Sequence, residues 1–318
     1  MGTGVIPKDG QRAAKNHLDR ILDATIAWAD LRPSGFLQAP CVLCGVFDYD
    51  ALATFVLNQV EFFLVRCRRC RLMWRNPIPN AEFLRDLYSN DYFDVAKSAA
   101  QLVNQVGIAD STREHQEWRR RKTREEVARW IQRGLSPSTS EGKPARFLEI
   151  GGGRGYLQSE ATARGWNTVG IEISQHGIVA ALERGLFVMP IVLEDFYEKY
   201  APVGCFDVVV LFDFLEHVVD PAKVLRLVRS LLLPDGVAIL RVPTIAHDAC
   251  PSYHLIDHIW HFTRDAMHRL ILREGFFIEP KGELSSGRFP ENGGKGSVTN
   301  VSYFLRRTRE SYTGGLKR

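Results

Sequence analysis

Residues Ala145 to Gly155 read Ala-Arg-Phe-Leu-Glu-Ile-Gly-Gly-Gly-Arg-Gly, and few arrangements accommodate them. A short apolar run closes on a carboxylate, and four glycines follow within five residues. This is a buried strand breaking into a turn whose backbone comes close to another group. Glycine permits both the turn and the approach, because it has no Cβ to collide. The dinucleotide fingerprint Gly-x-Gly-x-x-Gly does not fit: counted from Gly151 its third glycine falls on Tyr156, and from Gly153 on Gln158. What fits is acidic-x-Gly-x-Gly-x-Gly, read as Glu149, Gly151, Gly153 and Gly155. Such a turn also occurs between strand and helix without a ligand, so the residues downstream have to decide.

Downstream, apolar runs alternate with helical patterns, which predicts an α/β domain with a doubly wound, mainly parallel seven-stranded sheet. Strands are expected at 147–150, 168–173, 187–192, 207–212, 237–242, 276–279 and 298–305. Helices are expected at 156–164 and 174–184, after Asp220-Pro221, and at 261–274. Ligands of such sheets bind at the carboxyl ends of the strands. Glu172 and Ile173 end the second strand, where a carboxylate can accept from ribose hydroxyls. Glu194, Asp195 and Phe196 follow the third, suiting an adenine amine and its ring face. Phe212, Asp213, Glu216 and His217 follow the fourth, at the centre of the cleft.

Taken together, residues 145–280 resemble the class I S-adenosylmethionine methyltransferases. The resemblance is carried by the glycine turn, Val-Gly-Ile-Glu-Ile-Ser at 169–174, Leu-Glu-His-Val at 215–218 with Asp220-Pro221, and His261-Phe-Thr before Gly275-Phe276. It implies a Rossmann-like domain that binds S-adenosylmethionine through Glu149, Gly151, Gly153, Gly155, Glu172, Ile173, Asp195, Phe196, Phe212 and Asp213. His217 and Glu216 are the candidates for the proton chemistry, since an unperturbed histidine titrates near neutrality. Asp213, Glu216 and His217 also resemble the divalent-cation motif of quinone-biosynthesis O-methyltransferases, so Mg2+ is the lesser reading there. Tyr92, in an aromatic loop, and His261, the last of three closely spaced histidines, are expected to line an acceptor pocket.

Upstream, Cys41 and Cys44 are separated by two residues, as are Cys67 and Cys70, with 22 residues between the pairs. Two Cys-x-x-Cys turns at this spacing predict a four-thiolate structural zinc site in a short ribbon. A redox dithiol is the rival reading. Arg71 stands where the second turn would carry a glycine like Gly45. Together with Asn76-Pro77 and Asp91-Tyr92-Phe93, the ribbon resembles bacterial methyltransferases with an N-terminal zinc-binding segment, some of which act on nucleotide-linked sugars. Cys205 and Cys250 read as ordinary half-buried thiols.

The chain therefore divides into an N-terminal helix (1–35), a zinc-ribbon segment (36–95), a helical linker or cover (96–143) and the cofactor domain (144–318). Within the cover, Ser111 to Arg133 reads as an exposed, salt-bridged helix with one apolar stripe at Val127, Trp130 and Ile131. No secretion signal, myristoylation motif or membrane-length apolar run of roughly 20 residues is present, which predicts a cytoplasmic protein. A net charge of +4 is too small to argue for nucleic acid. Arginines 66, 68, 69, 71 and 75 cluster near the ribbon, but such runs are more often a solvated face. The expected activity is methyl transfer to oxygen or carbon of a small molecule. An RNA methyltransferase guided by the ribbon and a non-catalytic S-adenosylmethionine-binding protein are the alternatives. The sequence does not address oligomeric state.

Overall fold

The computed structural model describes residues 35–57, 60–91, 113–200, 203–245, 258–290 and 297–308. The expected N-terminal helix, Tyr92, His254 and Cys250 lie outside the described residues.

The N-terminal part is built from strands. β1 (Phe36–Leu37), β2 (Tyr49–Leu57), β3 (Val60–Cys67), β4 (Met73–Asn76) and β5 (Ile78–Pro79) precede a short helix, α1 (Ala81–Asp86), and a single π-helical turn at Leu87–Asp91. The Phe- and Val-rich stretch between the cysteine pairs is thus a hairpin, β2 against β3, with Phe55 opposite Phe62. Asn80 starts α1 by accepting from the Phe83 N–H at 2.8 Å, a cap that contributes about 1 kcal/mol.

α2 (Arg113–Gln132) leads into the main sheet. Its outer face carries the expected ion pairs, including Arg113 with Glu117 and Lys122 with Glu125. Glu126 departs from that reading: it is buried and accepts from the Trp130 indole at 3.1 Å.

The remaining elements alternate as expected: β6 (Arg146–Ile150), α3 (Tyr156–Ala163), β7 (Asn167–Glu172), α4 (Gln175–Leu182), β8 (Val188–Pro190), α5 (Leu193–Lys199), β9 (Phe206–Phe212), α6 (Pro221–Leu231), β10 (Leu232–Ile245), β11 (Trp260–His261), α7 (Arg264–Arg273), β12 (Phe276–Pro290) and β13 (Ser297–Arg307). Seven strands form the main sheet in the order β12-β13-β10-β9-β6-β7-β8. The five strands from β10 to β8 run parallel, and β13 and β12 close the edge antiparallel. The doubly wound seven-stranded sheet matches the sequence expectation. Pro234, Asp235 and Gly236 lie in an irregularity of β10, whose register on β9 shifts between Leu232 and Val237.

Alternation along β9 shows how the layers form. Val208 and Val210 face a cluster with Val127 and Trp130 of α2 and Leu157 and Ala161 of α3. Val209 and Leu211 face the opposite side, among Val224, Leu225 and Val228 of α6 and Leu270 of α7. A strand buried on both faces needs the continuous apolar run that 206–212 supplies. α6 opens with Asp220 accepting from the Lys223 N–H at 2.9 Å and Pro221 in its first turn, the preferred start for a helix.

The N-terminal strands are not a separate lobe. β11, between β10 and α7 in the chain, pairs with β4, so that Trp260 lies opposite Trp74 and His261 opposite Met73. The second sheet runs β11-β4-β3-β2, and its Val65, Cys67, Cys70 and Trp74 share a core with Leu148, Val209 and Leu240 of the main sheet. His261, expected at a helix start, is therefore a strand residue; the helix begins after Thr263, which accepts from the Ala266 N–H at 3.1 Å.

Candidate active site

The glycine turn sits at the carboxyl end of β6. Gly151, Gly153 and Gly155 all have positive φ, 68°, 52° and 71°, a region that L-residues with a Cβ rarely adopt. A Cβ on Gly151 would lie 2.6 Å from the Phe214 ring, and one on Gly155 would lie 2.6 Å from Leu186. A Cβ on Gly153 would meet nothing within 4 Å. Packing thus closes two faces of the turn and leaves the Gly153 face open.

Glu172, at the end of β7, borders that opening. Its Oε2 accepts from the Gly153 N–H at 2.7 Å, and its Oε1 accepts from the N–H groups of Ile173 and Ser174 at 2.7 and 2.8 Å. Three backbone donors fix the orientation of the carboxylate. Glu149 differs in its surroundings. It is buried, and its carboxylate lies against Gly152, where a Cβ would approach it to 2.8 Å. Burial pushes the Glu149 carboxyl up to about 8, opposed by the Gln158 N–H that it accepts at 2.9 Å.

At the end of β9 the chain turns sharply. Asp213 adopts φ of 52° and pairs through both carboxylate oxygens with Arg241 of β10. The Arg241 guanidinium also lies 4.2 Å from the Phe212 ring centroid, and Trp130 meets Phe212 edge-on. Asp213 is thus paired with a cation of the protein, while ligand atoms of Glu216, His217 and His258 lie within 4.8 Å of one another, a set that could hold a metal ion and that takes His258 in place of Asp213. Arg241 escaped the sequence reading, although a lone cation inside the apolar run Val-Ala-Ile-Leu-Arg-Val was a signal for it.

Glu216 and His217 occupy a 3-10 turn, Leu215–His217. The Glu216 side chain is fully buried, and one of its oxygens lies 4.0 Å from the His217 Nε2. On the other side of the ring, His217 Nδ1 meets the Tyr88 hydroxyl at 2.9 Å. The buried His258 ring packs edge-on against His217 at 4.7 Å, and His261 stands 6.4 Å beyond His258. The structure thus brings His217, Glu216, His258 and Tyr88 together from three parts of the chain.

Two expected cofactor contacts are placed differently. Phe196 lies in the first turn of α5, buried in the core with its ring 6.3 Å from Phe206, so it presents no face to the cleft. The third strand is shorter than expected, and Asp195 is half-buried in the first turn of α5 instead of in a loop.

The four cysteines converge. The Sγ atoms of Cys41, Cys44, Cys67 and Cys70 all lie within 4.8 Å of one another, with Cys41 and Cys70 at 3.4 Å. Thiolates about 2.3 Å from a tetrahedral zinc stand roughly 3.8 Å apart, so this set fits the ion. The two turns match residue for residue. Gly45 and Arg71 both have positive φ, 68° and 64°, and both donate their N–H to the carbonyl of the first cysteine of their pair. Burial, with Cys70 next in effect, pushes the Cys44 thiol up to about 11.

Open α/β sheets take ligands at the carboxyl ends of their strands, which is where the glycine turn and Glu172 lie. The sequence comparison makes this specific. The methyltransferase domain family matches residues 116–280, and the chain belongs to that family. Its seven-stranded sheet is the Rossmann-like fold of S-adenosylmethionine-dependent methyltransferases. The ubiquinone biosynthesis O-methyltransferase of Pseudomonas aeruginosa is 37% identical over 101 residues, covering 30% of this chain and 43% of that protein. The Psychrobacter cryohalolentis enzyme of the same name is 31% identical over 156 residues, covering 45% and 59%. The chain thus spans about half the length of these curated relatives. Among solved structures, 1,6-didemethyltoxoflavin-N1-methyltransferase from Burkholderia thailandensis covers 82% of this chain and 99% of its own, at 14% identity and a TM-score of 0.49. Among the described residues no helix is long and apolar enough to cross a membrane.

Proposed function

We propose that the protein is an enzyme that transfers a methyl group from S-adenosylmethionine to an oxygen or carbon of a small molecule. The observation that carries this reading is the open face at Gly153 bordered by the fixed Glu172 carboxylate, at the same edge of the sheet as the His217 turn. Gly153 offers backbone where a side chain would obstruct, and Glu172, with three of its roughly four acceptor positions taken by backbone N–H groups, keeps one on Oε2 for a ribose hydroxyl. When bound, S-adenosylmethionine supplies an electrophilic methyl group on a sulfonium. The chain has to hold the acceptor in line with it and accept one proton. His217 is the base. The Tyr88 hydroxyl, 2.9 Å from Nδ1, orients the ring, and Glu216, 4.0 Å from Nε2, stabilises the imidazolium that forms when the ring takes the acceptor's proton.

Oxygen is favoured over carbon, because the curated relatives are O-methyltransferases. A small acceptor is favoured over RNA by the fate of the arginines: Arg75 is buried over the Phe62 ring, and Arg68 is paired with Asp48 and Asp50. Cys41, Cys44, Cys67 and Cys70 hold a structural zinc ion, and the reading places the protein in the cytoplasm.

The test is transfer of labelled methyl to a panel of phenols, hydroxyquinones and nucleotide-linked sugars. Turnover should fall roughly 100-fold or more in His217→Ala, while affinity for the cofactor changes little. Turnover that survives the substitution removes His217 from the chemistry, and label appearing in RNA instead of any small molecule overturns the acceptor class.

A further inference from the structure

The cysteine module and the His217 turn are joined by one continuous set of contacts. In the second knuckle the Cys67 N–H donates to the Leu72 carbonyl at 2.9 Å, and β4 starts at the next residue. From β4, the Arg75 N–H donates to the Ile259 carbonyl at 3.0 Å. The Ile259 N–H in turn donates to the Glu216 carbonyl at 2.8 Å, and the Trp260 indole donates to the Val218 carbonyl at 2.8 Å. Ile259 and Trp260 are thus clamped between β4 and the two residues that flank His217. The ring itself is gripped by Tyr88, downstream of the module, and by His258, next to Ile259. The first knuckle is tied in as well: Arg273 of α7 donates to the carbonyls of Val42 and Leu43 at 2.8 and 3.0 Å. By contrast, the glycine turn is fixed from the main sheet, with the Gly151 N–H on the Ile171 carbonyl and the Gly153 N–H on Glu172.

We infer that the four-cysteine module is the positioning element of the acceptor half of the site, with Tyr88 as the positioning residue of the His217 ring. Metal at the cysteines holds the knuckles, the knuckles register β4, and β4 registers Ile259 and Trp260 against the His217 turn. The glycine turn takes part in none of these hydrogen bonds and meets the His217 turn through packing alone, Gly151 against the Phe214 ring. A buried set of hydrogen bonds of this kind has few alternative arrangements, so loosening one end is felt at the other. The catalytic meaning of His217 rests on the function proposed above; the mechanical coupling does not.

The experiment reads the imidazole signals of the full chain made with isotope-labelled histidine, with His217 assigned by its loss in His217→Gln. Signals are compared before and after removal of the metal with a chelator, in Cys70→Ser and in Tyr88→Phe, and S-adenosylhomocysteine affinity is measured on each sample. The His217 signal should move in all three while that of exposed His176 stays in place, and affinity should hold within about twofold. An unmoved His217 signal in metal-free protein that still melts cooperatively overturns the coupling, and an unmoved signal in Tyr88→Phe overturns the role of Tyr88. Where the metal-free samples fail to fold, Trp260→Phe, which removes the indole bond to Val218, takes their place, and an unmoved His217 signal in it overturns the coupling. Failure of the unaltered protein to bind S-adenosylhomocysteine would defeat the proposed function, whereas the ring signals would still decide this coupling.

Discussion

At the scale of single residues, two positions carry a cost that a substitution should remove. Arg71 holds a left-handed backbone at the place where the matching knuckle has Gly45. An L-residue there costs about 1 kcal/mol, partly offset in a glycine variant by a more flexible unfolded chain. Arg71→Gly should therefore stabilise the metal-loaded protein modestly, by up to about 0.5 kcal/mol, in denaturant titration. A loss of stability would mean that the Arg71 side chain contributes more than its backbone costs. Glu149 is the second position. Its carboxyl titrates near 8 when folded and near 4.3 when unfolded. Between these values the folded chain holds a proton that the unfolded chain lacks, so stability falls as pH rises through this window and levels off above it. Glu149→Gln keeps an acceptor for the Gln158 N–H and has no charge to bury. It should melt higher than the parent at about pH 9, by an amount on the order of a few kcal/mol, with little difference at about pH 4. A difference that does not grow with pH would show that Glu149 is ionised throughout.

At the scale of elements, short-range signals were legible and long-range pairing was not. The glycine turn, Ser174 and Asp220 as caps and the run 206–212 each announce a local conformation through residues close in sequence. The convergence of the four cysteines was legible for the same reason, since each pair forms one turn. Nothing local says that Trp260 and His261 will pair with β4, about 185 residues earlier in the chain, which is why His261 read as a helix start. Phe196 read as an adenine cover because it follows a strand; helical phase in α5 turns it into the core instead. Tyr88 and His258 reach His217 only through that tertiary pairing. For the module itself, Cys67→Ser or chelation should lower the melting temperature markedly, because a ribbon this small depends on its metal for folding energy. Zinc affinity should also fall steeply as pH drops, since burial holds the Cys44 thiol well above its ordinary range and protons compete with the ion. Metal content measured across pH checks both, and a metal-free sample with an unchanged melt would contradict the structural role.

For the whole molecule, the proposed function divides the site into two halves: a cofactor half on β6 and β7, and an acceptor half where the cysteine module crosses onto the main domain. The central claim is that the first half takes S-adenosylmethionine. Titration calorimetry with S-adenosylmethionine and NAD, on the parent protein and on Gly153→Val, tests it most directly. A valine at Gly153 puts a branched side chain at a left-handed position and into the open face of the turn. The account predicts saturable binding of S-adenosylmethionine by the parent, its loss by about 100-fold or more in Gly153→Val, and no binding of NAD by either. Tight NAD binding, or S-adenosylmethionine binding that Gly153→Val leaves intact, would contradict it.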